Sequence, residues 1–190
     1  MGLRPALENL IDRKNIVGAE IGVRRGANAK NILKYLDIKK LYLIDPYAKY
    51  LDNEEVSKEV DYSPWPKRVG VINSMFNEAK ANIVEWENVV EWIIDISSLA
   101  SLNIEDNELD FVYIDGNHAY KNVLEDINLY LPKVKIGGLI SGHDFDRRDS
   151  VAKAVRESFT NDLINFKPTG EGRTIDWWVF KNTGNEFKVV

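Results

Sequence analysis

The stretch Val17-Gly-Ala-Glu-Ile-Gly-Val-Arg-Arg-Gly26 decides the fold of this chain. It has the pattern of an apolar β-strand that ends in a glycine turn, and a helical pattern follows over residues 28–36. Glycine has no Cβ atom, so this turn can adopt positive φ and lets backbone approach a ligand closely. Gly22 and Gly26 are four residues apart and Glu20 precedes them, whereas a dinucleotide-binding turn normally reads G-x-G-x-x-G.

A second acidic residue, Asp45, ends the next apolar run at residues 41–44. At the end of a second parallel strand, a carboxylate can accept hydrogen bonds from both hydroxyls of a ribose. The glycine turn and Asp45 together predict a site for a nucleoside-containing cofactor.

Strand and helix patterns alternate along the rest of the chain. The turn Ile136-Gly-Gly138 leads into a short strand, and Ser150 is expected to cap the last helix. The expected strands cover residues 89–95, 109–114, 139–141, about 163–167 and 176–181, and the expected helices cover residues 3–12, 76–86 and 120–131. This order predicts a single α/β domain over residues 1–190, Rossmann-like and doubly wound, with a mostly parallel sheet and a C-terminal antiparallel hairpin.

Composition limits the classes of function. The 190 residues are 44% hydrophobic and 29% charged with a net charge of −5, which is typical of one globular domain. Acidic and basic residues are interleaved, so we expect no nucleic-acid partner and no membrane partner. The chain lacks cysteine, a signal-peptide pattern and an apolar run of transmembrane length, and we expect a cytoplasmic location. A small-molecule partner fits this charge, and homo-oligomerisation is left open.

Polar clusters follow three of the later strands. They are Asp95-Ile-Ser-Ser98, Asp115-Gly-Asn-His118 and Gly142-His-Asp-Phe145. Because ligands of parallel sheets bind at the carboxyl ends of strands, we expect these clusters to meet Glu20 and Asp45 in one crevice. The second cluster also has a simpler interpretation, since Asp115 could cap the following helix and His118 could be a surface residue.

Two longer motifs carry a family resemblance. Tyr113-Ile-Asp-Gly-Asn-His-Ala-Tyr120 precedes Gly137-Gly-Leu-Ile-Ser-Gly-His-Asp-Phe145 by about 20 residues. With the glycine turn and Asp45, they resemble the class I S-adenosylmethionine-dependent methyltransferases. The resemblance is to the small, often metal-dependent O-methyltransferase branch, and it implies a seven-stranded sheet.

The resemblance implies a role for each matching residue. Glu20, Gly22 and Gly26 would surround the methionine part of S-adenosylmethionine, Asp45 would bind its ribose, and Ile96, Ser97 and Ser98 would contact adenine. Asp115 would lie at the cofactor and take part in catalysis. Together with Asp144 it would hold Mg²⁺ or another divalent metal, and His118 would be the general base. This chain departs from the pattern with His143 at an acidic position and Phe145 at an amide position. Imidazole from His143 as a ligand would favour a transition metal over magnesium.

The predicted function is methyl transfer from S-adenosylmethionine, by O-methylation of a small molecule or sugar. One alternative is a nicotinamide-dependent Rossmann oxidoreductase, which the missing third glycine and the terminal hairpin disfavour. A second is a catalytically silent protein that binds S-adenosylmethionine.

Residues 46–75 stand between Asp45 and the next helix. They contain Tyr47, Tyr50, Tyr62 and the stiff Ser63-Pro-Trp-Pro66. This segment could cover a substrate, or Trp65 could simply pack in the core.

Overall fold

The computed structural model describes residues 2–47, 69–169 and 175–182. In this part of the chain a seven-stranded sheet has the order β3-β2-β1-β4-β5-β7-β6. The first five strands pair in parallel, and β7 runs antiparallel to both β5 and β6. The strands are β1 Ile16–Ile21, β2 Ile38–Ile44, β3 Val90–Ile93, β4 Leu109–Ile114, β5 Val134–Gly142, β6 Asn165–Pro168 and β7 Ile175–Phe180. The predicted fold class, including the terminal hairpin, is confirmed.

Helices cover both faces of the sheet. They are α1 Ala27–Tyr35, α2 Val69–Ile83, α3 Ser97–Ala100, α4 Tyr120–Tyr130 and α5 Asp149–Ser158. Alternate residues of β2 show the two layers, since Leu41 and Leu43 pack in the cluster with α1 and α2. Tyr42 and Ile44 pack in the other cluster with α4 and α5. This alternation is the two-residue period of a strand buried on both faces.

Three local predictions were wrong. The expected turn at Ile136-Gly-Gly138 lies inside β5, because Gly137 takes a φ of 77° where the pairing of β4 with β5 shifts register. Ser150 does not cap α5, whose N-cap is Arg148; its hydroxyl donates instead to the His118 carbonyl at 2.6 Å. The expected helix over residues 3–12 is reduced to a 3₁₀ turn at Leu7–Leu10.

The carboxyl ends of the parallel strands are level. Ile21 pairs with Ile44 and with Ile114, Ile44 pairs with Ile93, and Ile114 pairs with Gly142. The loops that follow these strands therefore leave the sheet along one edge, as the sequence predicts.

One prediction falls largely outside the described residues, since most of the 46–75 segment that could cover a substrate lies there. Within the described ranges, none of the helices has the length and apolar character needed to cross a membrane.

Candidate active site

The glycine turn passes against the loop after β4. Gly22 has a φ of 89°, and a Cβ atom there would lie 2.1 Å from the carbonyl oxygen of Asp115. Gly26 has a φ of 73° and would place a Cβ atom 3.0 Å from the Cα atom of Ala79. Both glycines are thus required by backbone packing within the protein. The result is that the turn after β1 lies directly beside Asp115.

Glu20 is a buried carboxylate with one unpaired oxygen. Its side chain is 1% exposed, and its Oε1 accepts a hydrogen bond from Asn28 Nδ2 at 3.0 Å. Its Oε2 is buried without a partner. Burial raises the pKa of Glu20 to about 8, although the Asn28 bond acts in the opposite direction. Such an orphaned acceptor is the kind of atom that a bound ligand satisfies.

Asp45 is held by the backbone of two loops. The Arg24 amide donates to Oδ2 and the Tyr47 amide donates to Oδ1, each at 2.9 Å. Burial raises the pKa of Asp45, and these backbone bonds oppose the shift. Each carboxylate oxygen has two lone pairs, so Asp45 keeps acceptor capacity for further donors.

The residues predicted to contact adenine follow β3, next to Asp45. The Asp45 amide donates to the Ile93 carbonyl at 3.3 Å, which ties the ends of β2 and β3 together. Asp95 accepts the Ile96 amide at 3.0 Å, and Ser97 begins α3. The structure therefore brings all the predicted cofactor residues along one edge of the sheet.

His118 lies between two carboxylates. Its Nε2 is 3.2 Å from Asp144 Oδ2 and 3.6 Å from Asp115 Oδ1. Both contacts are ion pairs, and neither has the geometry of a hydrogen bond. Burial lowers the pKa of His118, but Asp115 and Asp144 outweigh it and raise the pKa to about 9. The imidazole therefore carries a proton at neutral pH.

The two carboxylates are placed by the ends of β4 and β5. Asp144 has a φ of 57°, a conformation that costs a non-glycine residue energy and often marks a functional position. Burial acts to raise the pKa of Asp144, but His118, His143 and Arg147 lower it overall. Asp115 does not cap α4, because Ala119 is the N-cap residue and Asn117 accepts its amide. The capping interpretation of Asp115 is therefore wrong.

A buried network beside His118 was missed in the sequence. Asp176 on β7 is fully buried; its Oδ1 accepts from the Tyr113 hydroxyl at 2.9 Å and contacts His143 Nδ1 at 2.8 Å. Arg4 reaches His143 Nε2 at 3.4 Å and Asp115 Oδ2 at 4.0 Å. Asp176 could have been found as a charged residue within an apolar strand, but nothing near Arg4 indicates its role.

The donor set does not fit a resident metal ion. Of the predicted ligands, His143 has its Nε2 3.4 Å from the Arg4 guanidinium, a cation that also lies beside Asp115, and Asp144 pairs with His118. Phe145 is 5% exposed and stacks on Phe166. Within residues 2–47, 69–169 and 175–182, there is no group of three or more acidic or histidine side chains arranged to bind a metal.

Comparison with known proteins agrees with this geometry. The family model for a methyltransferase domain matches residues 19–145, so the chain belongs to that family. An uncharacterized protein of Acanthamoeba polyphaga mimivirus is 26% identical over 139 residues, covering 73% of this chain and 56% of that protein. The chain thus spans little more than half the length of this curated relative.

Solved structures share the fold at low sequence identity. The O-methyltransferase TomG from Streptomyces achromogenes, solved with S-adenosylmethionine, is 13% identical with a TM-score of 0.62, over 93% of this chain and 78% of that chain. An rRNA methylase from Streptococcus thermophilus is 11% identical with a TM-score of 0.60, over 94% of this chain and 93% of that chain. Spermidine synthase from Thermotoga maritima is 12% identical with a TM-score of 0.62, over 96% of this chain and 59% of that chain.

The fold and the family model together define the class of domain. It is a class I S-adenosylmethionine-dependent methyltransferase domain, and the resemblance seen in the sequence is confirmed. The same fold serves a spermidine synthase and an rRNA methylase, so the fold does not name the acceptor.

Proposed function

We propose that this domain transfers the methyl group of S-adenosylmethionine to a hydroxyl of a small molecule or sugar. The observation that carries the proposal is the level ending of β1, β2 and β4. It places the acidic residues Glu20 and Asp45 beside the cluster of Asp115, His118 and Asp144. The first group suits the cofactor, and the second suits a hydroxyl that must lose a proton.

The cofactor side offers acceptors where the cofactor has donors. The unpaired Glu20 Oε2 would receive the ammonium group of the methionine part, and Asp45 would receive the ribose hydroxyls. Ile96, Ser97 and Ser98 would contact adenine. When bound, S-adenosylmethionine supplies a methyl group already activated on a sulfonium, so the protein chiefly aligns the acceptor and excludes water.

His118 is the residue that we assign to proton removal. A hydroxyl is a weak nucleophile, and a base within hydrogen-bond reach assists its attack. Because its pKa is about 9, the imidazole is protonated at neutral pH and must lose this proton before it can act as a base. Asp115 and Asp144 then stabilise the imidazolium formed when His118 takes the acceptor's proton.

The proposed mechanism assigns no step to a metal. The predicted metal at Asp115, His143 and Asp144 is not supported by the geometry of those side chains, since Arg4 lies beside both Asp115 and His143 Nε2. Its separate test is anomalous diffraction from manganese-soaked crystals, where a peak between Asp115 and Asp144 would restore it. A cytoplasmic location and the absence of nucleic-acid and membrane partners remain predictions from composition.

The proposal is tested by measuring S-adenosylhomocysteine formation with a panel of hydroxylated small molecules and sugars. We expect product with at least one acceptor, and its loss in His118→Ala. Tight S-adenosylhomocysteine binding without turnover on a broad panel of hydroxyl, amine and thiol acceptors would favour the silent binding protein. Thermal stabilisation by nicotinamide cofactors alone would favour the oxidoreductase.

A further inference from the structure

Two residues of helix α4 form hydrogen bonds with Ser97, the first residue of α3. The Ser97 hydroxyl donates to Asp126 Oδ1 at 2.5 Å. On the next turn of the same helix, the Tyr130 hydroxyl donates to the Ser97 carbonyl at 2.8 Å. The side chain and the backbone of Ser97 are thus fixed by two residues of α4.

Asp126 is a buried carboxylate in the apolar stripe of α4. It is 3% exposed and shares the buried face with Val123, Ile127 and Tyr130. Burial raises the pKa of Asp126 to about 7, against the effect of the Ser97 bond. A carboxylate here costs desolvation that an apolar side chain would avoid. Its contact with Ser97 gives the carboxylate a specific role that the packing of α4 does not require.

Ser97 lies at the adenine end of the proposed cofactor site. It follows β3, whose last residue Ile93 pairs with Ile44 and accepts the amide of Asp45. The helix that fixes Ser97 begins two residues after His118. Helix α4 therefore connects the cofactor end of the crevice to the acceptor end.

We propose that Asp126 and Tyr130 are positioning residues for the cofactor. They fix Ser97 and so hold residues 96–98, which are proposed to contact adenine, in the conformation that binds it. This inference rests on the proposed function. A hydrogen bond of this kind contributes about 1 kcal/mol, which corresponds to about fivefold in affinity.

Calorimetric titration of variants with S-adenosylhomocysteine and with adenosine tests the inference. Asp126→Ala is expected to weaken both ligands by the same factor, about five- to tenfold, because only the adenine end is affected. Asp126→Asn retains an acceptor oxygen for Ser97 and should restore affinity to within about threefold of wild type. Ser97→Ala should match Asp126→Ala, and the double variant should lose no more than either single variant.

Two further variants make the pattern specific. Glu125→Gln removes the neighbouring exposed carboxylate of α4 and should leave both affinities unchanged. Glu20→Gln should weaken S-adenosylhomocysteine but not adenosine, which separates the two ends of the site. If Asp126→Ala fails to fold, Tyr130→Phe decides, since it removes only the hydroxyl that donates to the Ser97 carbonyl and should weaken both ligands in the same way.

The contrary outcomes are distinct. Wild-type affinity in both Asp126→Ala and Ser97→Ala overturns the inference, and so does an Asp126→Asn variant as weak as Asp126→Ala. If the folded wild type binds neither ligand, the proposed function itself fails. If wild type binds both and the variants do not differ, the proposed function stands and only the positioning role is lost.

Discussion

The residues proposed to bind the cofactor and those proposed to act on the acceptor are held in place differently. Glu20 and Asp45 stand at the ends of adjacent strands, and their partners are Asn28 and the backbone amides of nearby loops. On the acceptor side, Asp115 and His143 contact Arg4 from the N-terminal segment, and His143 contacts Asp176 from β7. The proposed cofactor site thus depends on local strand-to-helix turns, whereas the proposed acceptor site depends on packing of segments distant in sequence.

Removal of the acceptor-side imidazole should have the largest effect. General-base catalysis typically contributes about 10²–10⁴-fold, so His118→Ala should lower turnover by that factor. Affinity for S-adenosylhomocysteine should stay within a few-fold, because the imidazole of His118 pairs with Asp115 and Asp144 rather than with Glu20 or Asp45. Single-turnover rates measure the first quantity and calorimetry the second, with the exposed Lys121→Ala as the matched control.

The pH profile of the wild type sharpens the same prediction. A base with a pKa of about 9 is protonated at lower pH, so the rate should rise about tenfold per pH unit from 6 to 8 and level near 9. A plateau starting at pH 6.5, or a profile identical to that of His118→Ala, contradicts the assignment.

Removal of the ribose carboxylate tests the cofactor side. Asp45→Ala deletes an acceptor for two hydroxyls, a loss of about 2–4 kcal/mol or roughly 30- to 1,000-fold in affinity. Asp45→Asn keeps one acceptor oxygen, so its affinity for S-adenosylhomocysteine should lie between that of Asp45→Ala and that of the wild type. Unchanged S-adenosylhomocysteine affinity in Asp45→Ala would remove Asp45 from the site.

Asp176→Ala tests whether the acceptor side depends on tertiary packing. The variant leaves the Tyr113 hydroxyl and His143 Nδ1 without their buried acceptor, and we expect a loss of about 3 kcal/mol in the free energy of unfolding. Urea denaturation measures it. Asp106→Ala, which removes an exposed pair with Lys133, should change stability by less than about 0.5 kcal/mol. Equal stability of the two variants would show that the Asp176 network is not structural.

Proton release on binding gives the smallest effect. Free Glu20 has a pKa of about 8 and is mostly protonated at pH 7, whereas a ligand ammonium group beside it favours the ionised form. Binding of S-adenosylhomocysteine at pH 7 should therefore release about one proton, and affinity should rise with pH up to 8. Calorimetry in buffers of different ionisation enthalpy detects the release, which Glu20→Gln should abolish.

The difference between the two sides also explains what the sequence could predict. The ends of β1, β2 and β4 were predictable, because each apolar run is followed at once by a polar residue or glycine. The fold class follows from the strand and helix order. The positions of Glu20 and Asp45 at this edge could be predicted because they depend only on where these strands end.

The acceptor side was predictable only in part. Asp115, His118 and Asp144 were expected in one crevice, and the structure brings them together. The raised pKa of His118 was not expected, since it arises from two carboxylates on different strands. Arg4 could not be found, because its contacts depend on where the N-terminal segment packs. Asp126 had a signal that was overlooked, a charge in the apolar stripe of α4.

Calorimetric titration of the folded wild-type domain with S-adenosylhomocysteine tests the central claim most directly. The claim is that the edge formed by Glu20, Asp45 and the loop after β3 is a cofactor site. We expect saturable binding with one ligand per chain, and a loss of roughly 30- to 1,000-fold in Asp45→Ala. Absence of binding for both S-adenosylhomocysteine and S-adenosylmethionine, with the domain folded by circular dichroism, would contradict the claim.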